Sequence, residues 1–180
     1  MGLPGNIRVN NSMGDFYPTP PNIVEDILRR EKLRGSILEP ACGDGTMIRV
    51  LRRYYPESLI GGFDLYPRTP GVRRMDFMSY EKEWDNIITN PPYNQFLPFL
   101  MHSLELAKDK VIMIFPLTYL SGQSRYKGVY SKNPPARVYV YTYRVCMNPG
   151  EGAKNRIDFC WGVWEKGESQ TQLKWINKEV

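Results

Sequence analysis

Residues 89–93, Thr-Asn-Pro-Pro-Tyr, are the part of the chain whose side chains point most directly to chemistry. They follow a short, largely apolar run, residues 84–88, which is typical of a buried strand. The Asn90 side-chain oxygen and the Pro91 carbonyl are two acceptors on a segment that its prolines stiffen, and Tyr93 adds an aromatic ring that is expected to have a free face. Such a set suits a planar group that bears an NH2, with the ring stacked on its plane. The same residues are also typical of a plain turn followed by a packed tyrosine.

A glycine-rich stretch lies upstream, between a predicted strand and a predicted helix. Ile37 and Leu38 indicate the strand, and residues 46–55 have apolar side chains at helical spacing. Gly43 and Gly45 predict a tight turn in which the main chain approaches a ligand closely. The stretch contains neither the Gly-Lys-Ser/Thr sequence of a phosphate loop nor the G-x-G-x-x-G dinucleotide fingerprint.

Three acidic residues come at the ends of predicted strands. Glu39 ends the first strand, where it would repel a pyrophosphate but could face an ammonium or a sulfonium group. Asp64 ends the second, about twenty residues after the glycine turn, where dinucleotide-binding folds hold ribose hydroxyls. Asp76 is expected to close the third strand, where an acid can read an adenine amino group. Parallel strands place their ligands at their carboxyl ends, so we expect these acids and Asn90 around one cleft.

Together these motifs resemble the class I S-adenosylmethionine-dependent methyltransferases. More narrowly, they resemble the adenine-N6 DNA methyltransferases whose cofactor motif precedes the catalytic one. The resemblance is carried by Glu-Pro-Ala-Cys-Gly-Asp-Gly at 39–45, Asp64, Asp76-Phe77 and Asn90-Pro91-Pro92-Tyr93. Residues 16–20, Phe-Tyr-Pro-Thr-Pro, resemble the family's segment that touches the methionine end of the cofactor. Downstream residues resemble small phage and prophage methyltransferases, and the resemblance extends from residue 15 to residue 167.

The resemblance implies S-adenosylmethionine as the cofactor. The catalytic residues that it implies are Asn90, Pro91, Pro92 and Tyr93. The cofactor-binding residues that it implies are Tyr17, Thr19, Glu39, Ala41, Gly43, Gly45, Asp64, Asp76 and Phe77. In the family's mechanism, the asparagine oxygen and the first proline carbonyl hold the adenine NH2, the tyrosine stacks on the base, and N6 attacks the methyl group in line without a metal. A DNA substrate requires that the base be flipped out of the duplex.

The expected fold is α/β, the Rossmann-like class I methyltransferase fold. We expect a mostly parallel seven-stranded sheet, with helices on both faces and an antiparallel hairpin at its edge. Residues 138–143 and 157–164 alternate in polarity and predict this hairpin, and residues 173–176 could add a short strand. His102, the only histidine, is expected on a solvated helix face.

The predicted domain organisation is simple. Residues 1–14 are expected to form a flexible arm, and residues 15–180 a single methyltransferase domain without a separate domain that reads the target sequence. Any specificity would then come from the 120–137 loop, the 146–156 turn, a dimer partner or another subunit.

Charge favours a polyanionic partner. The chain has 180 residues and a formal net charge of +5, which is compatible with nucleic acid. Arg125, Lys127, Lys132 and Arg137 follow the predicted fifth strand and are the predicted phosphate contacts. No apolar run is long enough to cross a membrane. The three cysteines lack the spacing of a zinc site or a disulfide framework, so we expect no metal and a cytoplasmic location in a bacterial or phage-infected cell.

Three substrate classes remain open. DNA is the first, and structured RNA is the second because RNA adenine methyltransferases share the Asn-Pro-Pro-Tyr/Phe motif. The third is protein glutamine, because its amide NH2 is also planar. The arginine clusters and the downstream resemblance favour nucleic acid. A non-enzymatic binding subunit is disfavoured because both motifs are intact. The recognition sequence and the oligomeric state stay open.

Overall fold

A computed structural model of the protein describes residues 18–147 and 157–178. The strands are β1 (Ile37–Glu39), β2 (Ile60–Asp64), β3 (Arg73–Arg74), β4 (Trp84–Thr89), β5 (Ala107–Pro116), β6 (Arg137–Tyr141), β7 (Phe159–Glu165) and β8 (Gln172–Ile176). The helices are α1 (Pro21–Leu28), α2 (Thr46–Tyr54), α3 (Phe96–Leu106) and α4 (Gln123–Arg125), which continues as a π-helical turn at Tyr126–Tyr130. Single 3-10 turns lie at Phe77–Ser79, Tyr93–Gln95 and Leu117–Leu120.

The strands form one sheet in the order β3-β2-β1-β4-β5-β7-β6-β8. Neighbouring strands from β3 to β5 pair in parallel, and β7 runs antiparallel to both β5 and β6. The connections from β1 to β2 and from β4 to β5 run in opposite directions across the sheet. Because such crossovers are right-handed, α2 and α3 lie on opposite faces. The strand order reverses between β1 and β4, and α/β sheets bind ligands at such a switch point.

The sheet has eight strands, so the predicted count of seven is wrong. The additional strand is β8, which pairs in parallel with β6 along its whole length. The predicted antiparallel pair is confirmed, because β6 runs antiparallel to β7. The pair does not end the sheet, however, because β8 covers the outer side of β6. Four of the five residues of β8 are exposed, so its sequence carries little of the burial pattern that announces a strand.

The core lies around the central strands. Residues 111–116 of β5 are buried without interruption, and residues 112–115 have no exposed surface. A parallel strand that helices cover on both faces has such a continuous apolar run, because neither side meets water. Among the residues that the structure describes, no helix is long and apolar enough to cross a membrane.

An ion cluster lies at the amino-terminal edge of the parallel strands, opposite the switch point. Arg137 donates hydrogen bonds to both Glu31 carboxylate oxygens and to Glu165. The Lys110 ammonium lies 3.6 Å from Glu31 and 3.5 Å from Glu165. The Tyr139 hydroxyl donates to Glu31, whose side chain is only 4% exposed. The cluster therefore ties the segment after α1 to strands β5, β6 and β7.

Candidate active site

The carboxyl end of β4 places Asn90 at the switch point of the sheet. Its amide Nδ2 donates a hydrogen bond to the hydroxyl oxygen of Thr19, at 3.1 Å. Thr19 is buried and belongs to the segment that precedes α1, 71 residues away along the chain. This bond uses a donor of the Asn90 amide, whereas the predicted chemistry requires the amide oxygen as an acceptor. The structure therefore brings Thr19, which the resemblance assigns to cofactor binding, beside Asn90.

The two prolines and Tyr93 turn the chain from β4 into α3. Pro91 is buried and Pro92 is half-buried. The backbone of Pro92 is extended, at φ −61° and ψ 119°. The Gln95 amide donates to the Pro92 carbonyl at 2.9 Å and closes a 3-10 turn. The Pro91 carbonyl precedes this turn and is the second acceptor, beside the Asn90 oxygen, that is predicted to bind the target NH2.

The Tyr93 ring packs against other aromatic side chains and is 5% exposed. Its centroid lies 6.2 Å from those of Tyr119, after β5, and Phe159, at the start of β7. The expectation that this ring presents a free face is therefore wrong for this conformation, because two distant segments cover it. Stacking of Tyr93 on a substrate base stays a prediction, and it requires the ring to leave this packing.

The glycine turn between β1 and α2 has the predicted geometry. Gly43 has φ 50° and Gly45 has φ 76°, in the left-handed region that favours glycine. The Gly45 amide donates to the Cys42 carbonyl at 2.6 Å, and the side chain of Asp44 accepts from the Thr46 amide at 2.9 Å. The turn therefore begins α2 at Thr46 and keeps its main chain close to the carboxyl end of β1.

Asp64 ties the glycine turn to the end of β2. Its Oδ2 accepts a hydrogen bond from the Gly43 amide at 2.7 Å, and its Oδ1 accepts one from the Tyr66 amide, also at 2.7 Å. Each carboxylate oxygen can accept more than one hydrogen bond, so ribose hydroxyls can still be held. The ribose role of Asp64 stays a prediction. Its role in shaping the turn is one that sequence reasoning missed.

Glu39 is a buried acid at the end of β1, with 1% of its surface exposed. The Thr89 hydroxyl donates to its Oε1 at 3.3 Å, whereas its Oε2 has no hydrogen-bond partner among the described residues. Burial, and then the charge of Asp64, raises the pKa of Glu39 well above its ordinary value. A cationic group bound at the switch point would supply the missing partner and favour the ionised form. This buried acceptor therefore fits a cofactor with an ammonium group.

We expect Glu39→Gln to stabilise the ligand-free protein at neutral pH. A carboxyl group whose folded pKa is raised costs stability as pH rises above its unfolded value, and glutamine does not ionise. The gain is the linkage cost of holding this buried carboxyl protonated, so it should grow as pH rises above the unfolded pKa of the carboxyl. Urea unfolding at several pH values measures it, and the difference from wild type should disappear near pH 4. A difference that stays constant with pH would contradict this account of Glu39.

The remaining predicted cofactor residues lie near the same edge. Ala41 is half-buried in the glycine turn. Asp76 is exposed and its Oδ1 accepts from the Met78 amide at 3.0 Å. Because β3 contains only Arg73 and Arg74, Asp76 follows the third strand and does not close it, which corrects that expectation. Tyr17 lies outside the described residues, as do the predicted arm at 1–14 and most of the predicted turn at 146–156.

Phe77 belongs to the core. It is 2% exposed, and its ring centroid lies 4.6 Å from that of Phe99 and 4.8 Å from that of His102. Any contact of Phe77 with a cofactor would therefore be made by its main chain. His102 Nε2 lies 2.8 Å from the Tyr80 carbonyl, and its side chain is 16% exposed. The expectation of a solvated helix face for His102 is wrong, because its ring packs against Phe77.

The four predicted phosphate contacts divide into three groups. Lys127 and Lys132 are exposed after β5, as expected. The Arg125 guanidinium instead lies 4.2 Å from the centroid of the Tyr119 ring and donates to the Ser121 carbonyl. Arg137 is not a phosphate contact: it lies in the ion cluster at the opposite edge of the sheet, 14% exposed, where two carboxylates hold it. Within the part of the chain that the structure describes, no cluster of His, Cys, Asp or Glu is placed to hold a metal ion.

Sequence relatives support the methyltransferase resemblance over part of the chain. The chain matches no protein-family profile. It is 34% identical over 103 residues to the type II methyltransferase M.CvrRI of Paramecium bursaria Chlorella virus XZ-6E. The match covers 50% of this chain and 23% of that viral protein, so the chain spans about a quarter of its relative's length.

Solved methyltransferases share the fold. A dimethyladenosine transferase from Plasmodium falciparum superposes with a TM-score of 0.56 and 15% identity, covering 83% of this chain and 63% of its own. An S-adenosylmethionine-dependent O-methyltransferase from Thermotoga maritima superposes with a TM-score of 0.54 and 12% identity, and the match covers 92% of this chain and 69% of that one. The magnesium protoporphyrin IX methyltransferase of Synechocystis superposes with a TM-score of 0.53 and 14% identity, and the match covers 80% of each chain. The chain therefore has the Rossmann-like fold of the class I methyltransferases, and the predicted fold class is confirmed.

Proposed function

We propose that this chain is an S-adenosylmethionine-dependent methyltransferase that transfers a methyl group to the exocyclic N6 of adenine in DNA. The observation that carries this proposal is the position of Asn90. It lies at the switch point, is hydrogen-bonded to Thr19, and directly follows Thr89, which is bonded to Glu39. The same edge of the sheet carries an amide that could serve the substrate and a buried carboxylate that could serve a cationic cofactor, since its Oε2 has no hydrogen-bond partner among the described residues.

The residues of this edge would divide the work between two ligands. Glu39 would pair with the ammonium group of the cofactor, Asp64 would hold its ribose, and Asp76 its adenine. When bound, the cofactor supplies a methyl group activated by a sulfonium. The Asn90 oxygen and the Pro91 carbonyl would accept the two hydrogen bonds of the target NH2 and orient its nitrogen. The protein thus contributes positioning and electrostatic complementarity.

Nucleic acid is favoured over protein by the exposed cations after β5. Lys127 and Lys132 are exposed and follow the strand adjacent to β4, so they can meet a phosphate backbone near Asn90. DNA is favoured over RNA by the match to a viral type II methyltransferase. Tritiated methyl transfer to duplex DNA, single-stranded DNA, RNA and protein, assayed in parallel, tests the proposal. Label in RNA adenine alone, or in protein glutamine alone, would replace DNA as the substrate.

We expect the protein to bind S-adenosylmethionine, and Asp64→Ala to weaken that binding by about 1–3 kcal/mol. The variant removes the ribose acceptor and also the two hydrogen bonds to Gly43 and Tyr66 that shape the turn. Isothermal calorimetry with the cofactor and with its demethylated product measures the change. Glu57→Ala, which removes an exposed acid in the segment between α2 and β2, is the matched control. The absence of any heat of binding in the wild-type protein would refute the cofactor assignment.

We expect charge reversal at Lys127 and Lys132 to weaken DNA binding about equally for all sequences. Phosphate contacts carry no sequence information, and each phosphate neutralised contributes a slope of about −0.9 in log affinity against log salt. The double variant should therefore flatten the slope by about 2. Fluorescence anisotropy with mixed-sequence duplexes over a range of salt concentrations measures both quantities. Reversal of Lys82 and Lys108, exposed at the opposite edge of the sheet, changes the net charge equally and should leave the slope unchanged.

A further inference from the structure

Tyr119 contacts the catalytic loop, although no motif in the sequence points to it. It lies in the 3-10 turn Leu117–Leu120 that directly follows β5. Its hydroxyl donates a hydrogen bond to the main-chain carbonyl of Tyr93 at 3.3 Å. Its ring meets that of Phe96, the first residue of α3, edge-on at a centroid distance of 5.3 Å. Tyr119 therefore contacts the chain on both sides of the turn that follows the two prolines.

The basic segment after β5 is built on the same tyrosine. The Arg125 guanidinium lies 4.2 Å from the centroid of the Tyr119 ring, in cation–π geometry. The Tyr130 hydroxyl donates to the Tyr119 carbonyl at 2.9 Å, which fixes the far end of the π-helical turn. Lys127 lies between these two anchors and is exposed. The segment that carries the predicted phosphate contact is thus attached to Tyr119 at two points.

This attachment matters because the two prolines limit the main-chain hydrogen bonds that the catalytic loop can make. Pro91 and Pro92 carry no N–H, so they cannot hold the loop by donating hydrogen bonds. The Pro91 carbonyl is an acceptor in the proposed chemistry, and its position depends on the main chain up to Tyr93. A misplacement of about 1 Å at a reacting centre can cost about a hundredfold in rate. A donor to the Tyr93 carbonyl from outside the loop therefore restricts the loop at the point where it enters α3.

We propose that Tyr119 is a positioning residue that holds the Asn90–Tyr93 loop and couples it to the nucleic-acid-binding segment through Arg125. The inference rests on the proposed function, because it assigns a role within the same methyl-transfer site. Arg125 then acts on catalysis through Tyr119, whereas Lys127 and Lys132 contact phosphate. A phosphate contact raises the affinity for nucleic acid, but a positioning contact raises the turnover of bound substrate.

The experiment compares Tyr119→Phe, Arg125→Gln and the double variant with wild type and with Tyr54→Phe, a partly exposed tyrosine of α2. Tyr119→Phe keeps the ring and removes only the hydroxyl. Methyl transfer to genomic DNA from a strain without adenine methylation gives kcat and KM, and anisotropy gives the DNA affinity. We expect Tyr119→Phe and Arg125→Gln each to lower kcat about five- to tenfold, with DNA and cofactor affinities within about twofold of wild type. The kcat of the double variant should lie within about twofold of the kcat of the poorer single variant. Both changes act on the same series of contacts, from Arg125 through Tyr119 to the Tyr93 carbonyl, so their effects should not add.

A second readout does not require activity. Amide hydrogen exchange of the peptide that spans residues 90–97 should be faster in Tyr119→Phe than in wild type, and unchanged in Tyr54→Phe. Unchanged exchange together with a wild-type kcat would overturn the positioning role. Effects of Tyr119→Phe and Arg125→Gln that multiply independently, or a loss confined to DNA affinity in Arg125→Gln, would overturn the coupling. Faster exchange in a protein that methylates no nucleic acid would refute the proposed function and leave the structural role of Tyr119 standing.

Discussion

Replacing Asn90 with alanine is expected to lower methyl transfer by about a hundredfold or more, while cofactor affinity stays within about threefold of wild type. In the proposed mechanism the amide oxygen is a preorganised acceptor for the target NH2, and loss of one preorganised polar contact at a reacting centre costs this much. Single-turnover transfer of tritiated methyl to duplex DNA measures the rate, and calorimetry measures the cofactor affinity.

Two variants separate the chemistry of Asn90 from its structural bond. Thr19→Val removes the hydroxyl that accepts from the Asn90 Nδ2 but keeps the Asn90 amide oxygen, so we expect a loss of only about five- to tenfold. Asn177→Ala removes an exposed asparagine beyond β8 and should retain the wild-type rate. A wild-type rate in Asn90→Ala would show that the amide does not hold the substrate.

Replacing Arg137 with alanine is expected to lower the free energy of unfolding by about 3 kcal/mol. Glu31 is 4% exposed and would lose both hydrogen bonds from the guanidinium, which leaves this buried carboxylate with Lys110 and Tyr139 as its side-chain partners among the described residues. Burial would raise the pKa of Glu165, but the Arg137 hydrogen bond and the charge of Lys110 lower it below its ordinary value. Urea unfolding measures the stability, with exposed Arg52→Ala as the control.

This prediction also tests the correction of the phosphate contacts. Arg137 lies at the amino-terminal edge of the sheet, so the folded Arg137→Ala protein should bind DNA as tightly as wild type below its unfolding temperature. Unchanged stability together with weakened DNA binding would restore the role that the sequence alone suggested.

Local sequence patterns predicted the elements that form the site. The glycine turn was predictable because Gly43 and Gly45 lie between a short apolar strand and a helix with apolar residues at regular spacing, so the signal is contained within one strand–turn–helix unit. Asn90 was predictable for a similar reason, since it directly follows the buried strand β4. The hydrogen bond between Thr19 and Asn90 was not predicted, because the two residues are 71 positions apart and the resemblance assigned Thr19 only to the cofactor.

The failures share a physical cause, which is contact between residues distant in sequence. Arg137 looked like a surface cation, but Glu31, 106 residues away, pairs with it. The ring of Tyr93 looked available for stacking, but Phe159 from β7 covers it. The strand β8 was expected only as an optional short strand at residues 173–176, because its edge position leaves most of its residues exposed and weakens the pattern. The contact of Thr89 with Glu39 was also missed. The sequence pattern that could have indicated it is a threonine at the end of a buried strand, directly before the candidate catalytic motif.

The most direct test of the central claim is the identity of the modified nucleoside. The wild-type protein and Asn90→Ala would each be expressed in a bacterial strain that lacks adenine methylation, and its DNA and RNA would be digested and analysed by mass spectrometry. The account predicts N6-methyladenine in the DNA of cells that make the wild-type protein and its absence in cells that make Asn90→Ala. Wild-type cells whose DNA lacks N6-methyladenine, while the purified protein binds the cofactor, would contradict it.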